Sequence, residues 1–73
     1  MDEIEQIVLF SDNLKRAINK KGISIIELST KCGVSSRMIR HYMHAEHSPS
    51  VLTAKTLASA LDVSLDELFN EKA

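Results

Sequence analysis

The sequence has no tryptophan, a single cysteine and no long apolar run, and each absence excludes a class of protein. Cys32 alone cannot close an internal disulfide, so the chain is not a disulfide-stapled scaffold and fits a reducing compartment. No stretch approaches the roughly 18 apolar residues that a transmembrane helix requires. Met1 to Phe10 is acidic, where a signal peptide opens on positive charge. These features predict a cytoplasmic protein with no membrane partner. No segment alternates apolar and polar residues over a useful length, which leaves no strand signal. The two glycines, Gly22 and Gly33, stand apart and form no phosphate-cradling loop. Nothing orders serine, histidine and carboxylate into nucleophile, base and orienter. No enzymatic activity, cofactor or small-molecule substrate is expected.

What is present fits one small domain. Seventy-three residues lie near the lower limit for folding without a disulfide, a metal or a partner. The formal net charge is −1, but the charges are segregated. Met1 to Asp12 carries −4, Asn13 to Leu61 carries +6, and Asp62 to Ala73 carries −3. A basic middle between acidic ends can meet a polyanion through one face.

One local phrase recurs: an apolar residue, serine, two residues, a third position, then an apolar residue. It appears at Ile23-Ser24 to Glu27-Leu28, at Val34-Ser35 to Met38-Ile39, and at Val63-Ser64 to Glu67-Leu68. The first and last are capping boxes, in which Ser and Glu satisfy amides that a helix start leaves without partners. The flanking apolar residues have the spacing of a hydrophobic staple. Helices therefore start after Ser24, Ser35 and Ser64, and a fourth after Ser50, which follows Pro49. Ser11 or Asp12 is available to cap a first helix with Phe10, Leu14, Ala17 and Ile18 along one side. Gly22, Gly33 and Asp62 sit where left-handed residues end helices. The reading is five helices, at about 12–20, 25–32, 36–44, 51–61 and 65–70. Ile4, Ile7 and Val8 also have helical spacing, which either extends the first helix backwards or forms an extra turn, and they are assigned to packing or dimer contact because an arm that binds DNA would be basic.

The second and third helices, joined by a glycine turn, have the spacing of a helix-turn-helix. On the later helix Val34, Ile39 and Tyr42 face inward. Arg37, Arg40, His41 and His44 fall on the opposite side at i, i+3, i+4 and i+7, with Ser36 beside them. Arginine bonds guanine O6 and N7 in bidentate fashion, and Ser and His reach base edges or phosphates. That face suits the major groove of double-stranded DNA.

Gly22 to Phe69 resembles the Cro/phage-repressor (XRE) helix-turn-helix family. The resemblance rests on Ser24, Glu27-Leu28, Gly33-Val34-Ser35, Ile39, Pro49-Ser50, Leu57-Ala58, Leu61, Val63-Ser64-Leu65 and Leu68. It implies an all-α, five-helix, lambda-repressor-like DNA-binding domain over residues 1–73, with the helix-turn-helix as helices 2 and 3 and residues 1–10 as an added helical segment. It further implies a small transcriptional regulator that binds double-stranded DNA as a homodimer on a two-fold symmetric operator. Regulation would follow from site occupancy, as the length leaves no room for an effector domain. By the same resemblance Ser36, Arg37, Arg40 and His41 occupy base-reading positions. Ser24, Ser35, His44, His47 and Ser48 lie where family members touch phosphate.

Four positions depart from the family pattern. Ile25 replaces a phosphate-bonding glutamine and is followed by Ile26, one of which is expected to pack inward. Met43 and Ala45 replace the Glu and Gly that close the recognition helix. In relatives that Glu forms a largely buried pair with an Arg of the first helix, whose position here is Ile18. Both members have become apolar together, which predicts that Ile18 and Met43 meet in the core. His41, His44 and His47 recur every third residue, but with only Glu46 nearby they lack the companions of a tight metal site. Cys32 reads as a small core residue rather than a redox switch. The rival to DNA binding is a protein-interaction module of antitoxin or antirepressor type, using Ile25, Ile26 and the acidic ends.

Overall fold

Residues 2–70 are described by a computed structural model of the chain. Five helices follow one another: α1 (Glu3–Lys21), α2 (Ile25–Cys32), α3 (Ser36–Met43), α4 (Val51–Ala60) and α5 (Leu65–Phe69). Four of the serines read as helix starts act as such. Ser24, Ser35, Ser50 and Ser64 each accept a hydrogen bond from the backbone N–H three residues on. The capping boxes at Ser24 and Ser64 are both closed by their glutamates. Gly22, Gly33 and Asp62 adopt positive φ of 73°, 75° and 59°, the conformation that lets the chain turn out of a helix.

The first helix corrects the start read at about residue 12, and of the two alternatives for Ile4 to Val8 the backward extension is the one found. It starts at Glu3 rather than Asp12, because Asp2 and Glu5 form a capping box of their own. Asp2 accepts from the Glu5 amide at 2.8 Å, and Glu5 accepts from the Asp2 amide at 3.4 Å. Ser11 is therefore no cap: it is buried in mid-helix, and its hydroxyl donates to the Met43 carbonyl at 2.5 Å. Asp12 is exposed beside Lys15. Of the added apolar residues Ile7 is half-buried, whereas Ile4 and Val8 point to solvent, so they do not supply the packing expected of them within this chain. The other helix ends agree with the reading to one residue, the ordinary uncertainty of a fraying end.

α1 packs against α3 and α5, α2 against α3 and α4, and α4 against α5. Phe10, Leu14 and Ile18 form the buried stripe of α1 and meet Leu28, Ile39, Tyr42, Leu57 and Leu68 in one core. Phe10 lies edge-on to Tyr42, ring centroids 6.0 Å apart, and stacks on Phe69 at 5.2 Å. Each aromatic pair adds about 0.5–1.5 kcal/mol to the gain from burial. Asn13 is buried too, and its amide nitrogen donates to the Leu68 and Asn70 carbonyls at 3.1 and 2.8 Å. Those carbonyls end α5, where a helix has no partners of its own to offer. Its carbonyl oxygen accepts from Arg16, so the buried amide is satisfied on both sides.

The end of α3 is thus fastened to α1 by the Ser11 bond and by apolar packing. Ile18 is 7 % exposed, and Met43 is half-buried against the core to which Ile18 belongs. Ile18→Arg should lower stability by about 3–5 kcal/mol, the cost of a buried charge without a partner, and Met43→Glu, at a half-buried position, should lower it by less. The double variant should recover much of the loss in denaturant melts, and additive losses would show that the two side chains do not meet.

Glu27 supplies a pH signature for the same fold. Its carboxyl is held below the usual carboxylate range, first by the Ser24 amide, then by the Ser24 hydroxyl and the charge of Lys31. A depressed folded-state pKa means that the contribution is complete above the ordinary range and is lost as pH falls through the lowered value. Glu27→Gln should therefore be the less stable protein at neutral pH. The two should converge in urea melts as pH falls through and below the ordinary carboxylate range.

Candidate nucleic-acid interface

α2 and α3 are joined through Gly33, whose left-handed backbone ends α2 and leads into the Ser35 cap of α3. α3 is anchored from below by Ile39, fully buried, and Tyr42, 6 % exposed, with Val34 and Met38 half-buried beside them. This leaves the face expected from the spacing turned outward. Arg37, Arg40 and His44 are exposed, while Ser36 and His41 are half-buried at its edges. The ion pairs among the described residues occupy Lys15, Lys21 and His41, and neither arginine of α3 enters one. Both guanidinium groups, charged at any physiological pH, are free to meet an anion.

The serines named as phosphate contacts have structural duties first. The Ser24 oxygen accepts from the Glu27 amide at 3.0 Å and the Ser35 oxygen from the Met38 amide at 3.1 Å. Each hydroxyl keeps its own proton to donate. Beyond α3, His47 and Ser48 are exposed. Ser48 also lines a cleft with Gln6, Ile7 and Phe10 of α1 and Val51 of α4, which includes no residue of α3. Of the two unusual isoleucines, Ile25 packs against the core and Ile26 is 61 % exposed. The expectation that one packs inward holds.

Periodicity did not reveal the turn that ends α3. Ala45 has a φ of 57°, a left-handed conformation that side chains other than glycine rarely adopt. It allows the Ala45 amide to donate to the Tyr42 carbonyl at 3.3 Å and the Glu46 amide to the His41 carbonyl at 2.9 Å. This is the paired closure of a Schellman motif. It also folds Glu46 back on the helix, bringing its Oε1 to 2.5 Å from His41 Nδ1. The bond to His41 holds the Glu46 carboxyl below its usual range, followed by the charges of His41, His44 and His47. Residues five apart do not share a helix face, so only the reversed chain could bring the pair together. The family's glycine at Ala45 was the available signal. Among the described residues no three His, Cys, Asp or Glu converge as metal ligands.

The sequence model of the helix-turn-helix family HTH_3 matches residues 14–68, from the middle of α1 to the end of α5. The chain belongs to the HTH_3 family. Its all-helical fold is the DNA-binding helix-turn-helix domain. Over 62 residues it is 34% identical to YopO of Bacillus subtilis, an uncharacterized, SPbeta prophage-derived HTH-type transcriptional regulator, covering 85% of this chain and 89% of that protein. An HTH_3 family transcriptional regulator from Vibrio cholerae superposes with a TM-score of 0.88 at 25% identity. That match covers 93% of this chain but only 38% of the Vibrio protein, so the likeness is to one part of a longer molecule. The restriction-modification controller protein C.AhdI of Aeromonas hydrophila superposes with a TM-score of 0.82 at 27% identity, over 86% of this chain and 96% of its own. No helix among the described residues is long and apolar enough to cross a membrane.

Ala45 provides a direct check on the closure of α3 in this HTH_3 domain. A left-handed alanine costs about 1–2 kcal/mol, while glycine costs about 0.4–1 kcal/mol through the unfolded chain. Ala45→Gly should therefore raise stability by about 1 kcal/mol in urea unfolding. A loss of stability would mean that the turn is not left-handed in solution.

Proposed function

We propose that the chain is a small transcriptional regulator that binds double-stranded DNA sequence-specifically, as a homodimer on a two-fold symmetric operator. The supporting observation is the α3 surface, where Arg37 and Arg40 stand exposed and outside any ion pair on a helix fixed by buried Ile39 and Tyr42. In this reading Arg37, Arg40, Ser36 and His41 face base edges. Ser24, Ser35, His44, His47 and Ser48 lie along the phosphates, and helix amides add donors there. The roles of YopO and the Vibrio protein as transcriptional regulators, and of C.AhdI as a controller protein, agree with this reading. Exposed Ile4, Val51 and Leu52 offer apolar surface of the kind that a second copy covers.

A different partner is favoured by one observation. Ile26 is exposed at the start of α2, where a phosphate-facing surface would be polar, and it suits a protein partner of antitoxin or antirepressor type. Salt separates the two readings. Binding to random duplex should weaken steeply with salt, by about 0.9 log units per log of salt for each phosphate neutralised. A protein-interaction module would show no such slope.

Sites selected from a random duplex library provide the operator for the decisive measurement. Arg37→Ala and Arg40→Ala should each cost about 1–3 kcal/mol of binding and relax preference at one base pair, as loss of a bidentate guanine contact would. Unchanged affinity in both would overturn the assignment of α3. For the dimer, two recognition helices in successive major grooves lie roughly 34–36 Å apart. Five base pairs inserted between half-sites should abolish cooperative binding, and equal binding to both operators would exclude that geometry.

A further inference from the structure

We propose that Glu46 is a positioning residue that sets the tautomer of His41, so that His41 presents a hydrogen-bond acceptor to the duplex and favours adenine or cytosine over guanine at one base pair. The proposal rests on the reading of α3 as the base-contacting helix.

The argument begins with what a carboxylate can do. Glu46 lies 2.5 Å from His41 Nδ1, and an ionised carboxylate only accepts hydrogen bonds. The ring nitrogen facing it must therefore carry the hydrogen. In a neutral imidazole that leaves Nε2 with a lone pair and no hydrogen. His47 fixes the ring plane as well, meeting His41 edge to face with centroids 5.0 Å apart and planes at 86°. The His41 side chain keeps 30 % exposure, so the ring is held but not hidden.

Among the described residues His41 enters no ion pair but the one with Glu46. On α1, Asp12 and Lys15 pair with each other, Arg16 donates to Asn13, and Lys21 pairs with Asp62. On α2, Glu27 closes its own capping box and Lys31 acts on Glu27 and Asp62. On α3 itself Arg37 and Arg40 enter no ion pair, and His44 and His47 bear on Glu46.

In the major groove adenine N6 and cytosine N4 donate, whereas guanine shows the acceptors N7 and O6. An imidazole with its lone pair outward matches the first two and opposes the third. Arg37 and Arg40, which only donate, have the reverse preference. The helix would thus carry two kinds of reader, with Glu46 determining which kind His41 becomes.

Long-range nitrogen–proton NMR of the full chain at about pH 8, where an ordinary imidazole is neutral, reads the tautomer directly. Wild type should show His41 protonated on Nδ1. Glu46→Ala should move the hydrogen to Nε2, and Glu46→Gln, whose carbonyl still accepts, should keep it on Nδ1. In selections from random duplex at the same pH, wild type should favour adenine or cytosine over guanine about tenfold at one base pair. Glu46→Ala should reduce that to about twofold or less and leave the other positions unchanged. A structural role for Glu46 alone would weaken all sequences alike. Wild-type His41 protonated on Nε2 would overturn the inference, as would an unchanged base preference in Glu46→Ala while Arg37→Ala and Arg40→Ala lose binding. If both arginine variants bind as wild type does, the reading of α3 fails and the base preference fails with it. The tautomer spectra still report the pairing of Glu46 in that case.

Discussion

The ring of Phe10 contacts side chains from two other helices, and the remaining geometry follows from that placement. It meets Tyr42 of α3 edge to face and stacks on Phe69 of α5, while its own helix contributes Leu14 and Ile18 to the same core. Tyr42 and Ile39 occupy the inner side of α3, so their burial against α1 decides which way the helix is rotated. With an amphipathic helix, burial of one face sets the exposure of the other. The outward turn of Arg37 and Arg40 is thus a consequence of aromatic packing on the far side of the helix. Polar bonds finish the assembly: Ser11 holds the Met43 carbonyl at the end of α3, and Asn13 holds the Leu68 and Asn70 carbonyls at the end of α5. Both satisfy backbone groups that a short helix cannot satisfy internally.

The closure of α3 connects the fold to the chemistry of the surface. Ala45 takes a conformation that glycine adopts more readily, and the turn it forms returns Glu46 to the histidine one turn from the helix end. A small strain in the backbone therefore brings an acidic side chain to a cationic face. In a chain of net charge −1, that face owes its sign to segregation rather than composition. The apolar exchange at Ile18 and Met43 has a similar logic. Apolar side chains at these positions avoid the desolvation that a buried ion pair incurs, and the Ser11 bond ties the Met43 backbone to α1.

Most of the helix pattern was legible because it is written locally. A serine cap is a short-range signal that opens four of the five helices within a residue of the reading, and two of these add a glutamate three residues on. The first helix was misread for an equally local reason. Ser11 and Asp12 are good capping residues, but Asp2 with Glu5 is a complete box, and a helix already running through Ser11 leaves its hydroxyl to find a partner elsewhere. Nothing near Ser11 or Asn13 in sequence announces burial, because their partners lie 32 and more residues away. The same distance in the chain hides Lys21 from Asp62, whose pairing holds that carboxyl below its usual range.

By itself the sequence determined the helix starts, the left-handed exits at Gly22, Gly33 and Asp62, and the division of α3 into apolar and cationic sides. Each depends on residues within a turn or two of one another, where capping, backbone conformation and helical period act without help from the fold. Only the tertiary structure decided that α1 carries two buried polar side chains to the ends of other helices. It also decided that Ile25 packs while Ile26 does not, and that Glu46 turns back onto His41. Those outcomes depend on which surfaces meet and how a chain reverses, and a linear spacing of residues does not contain that information.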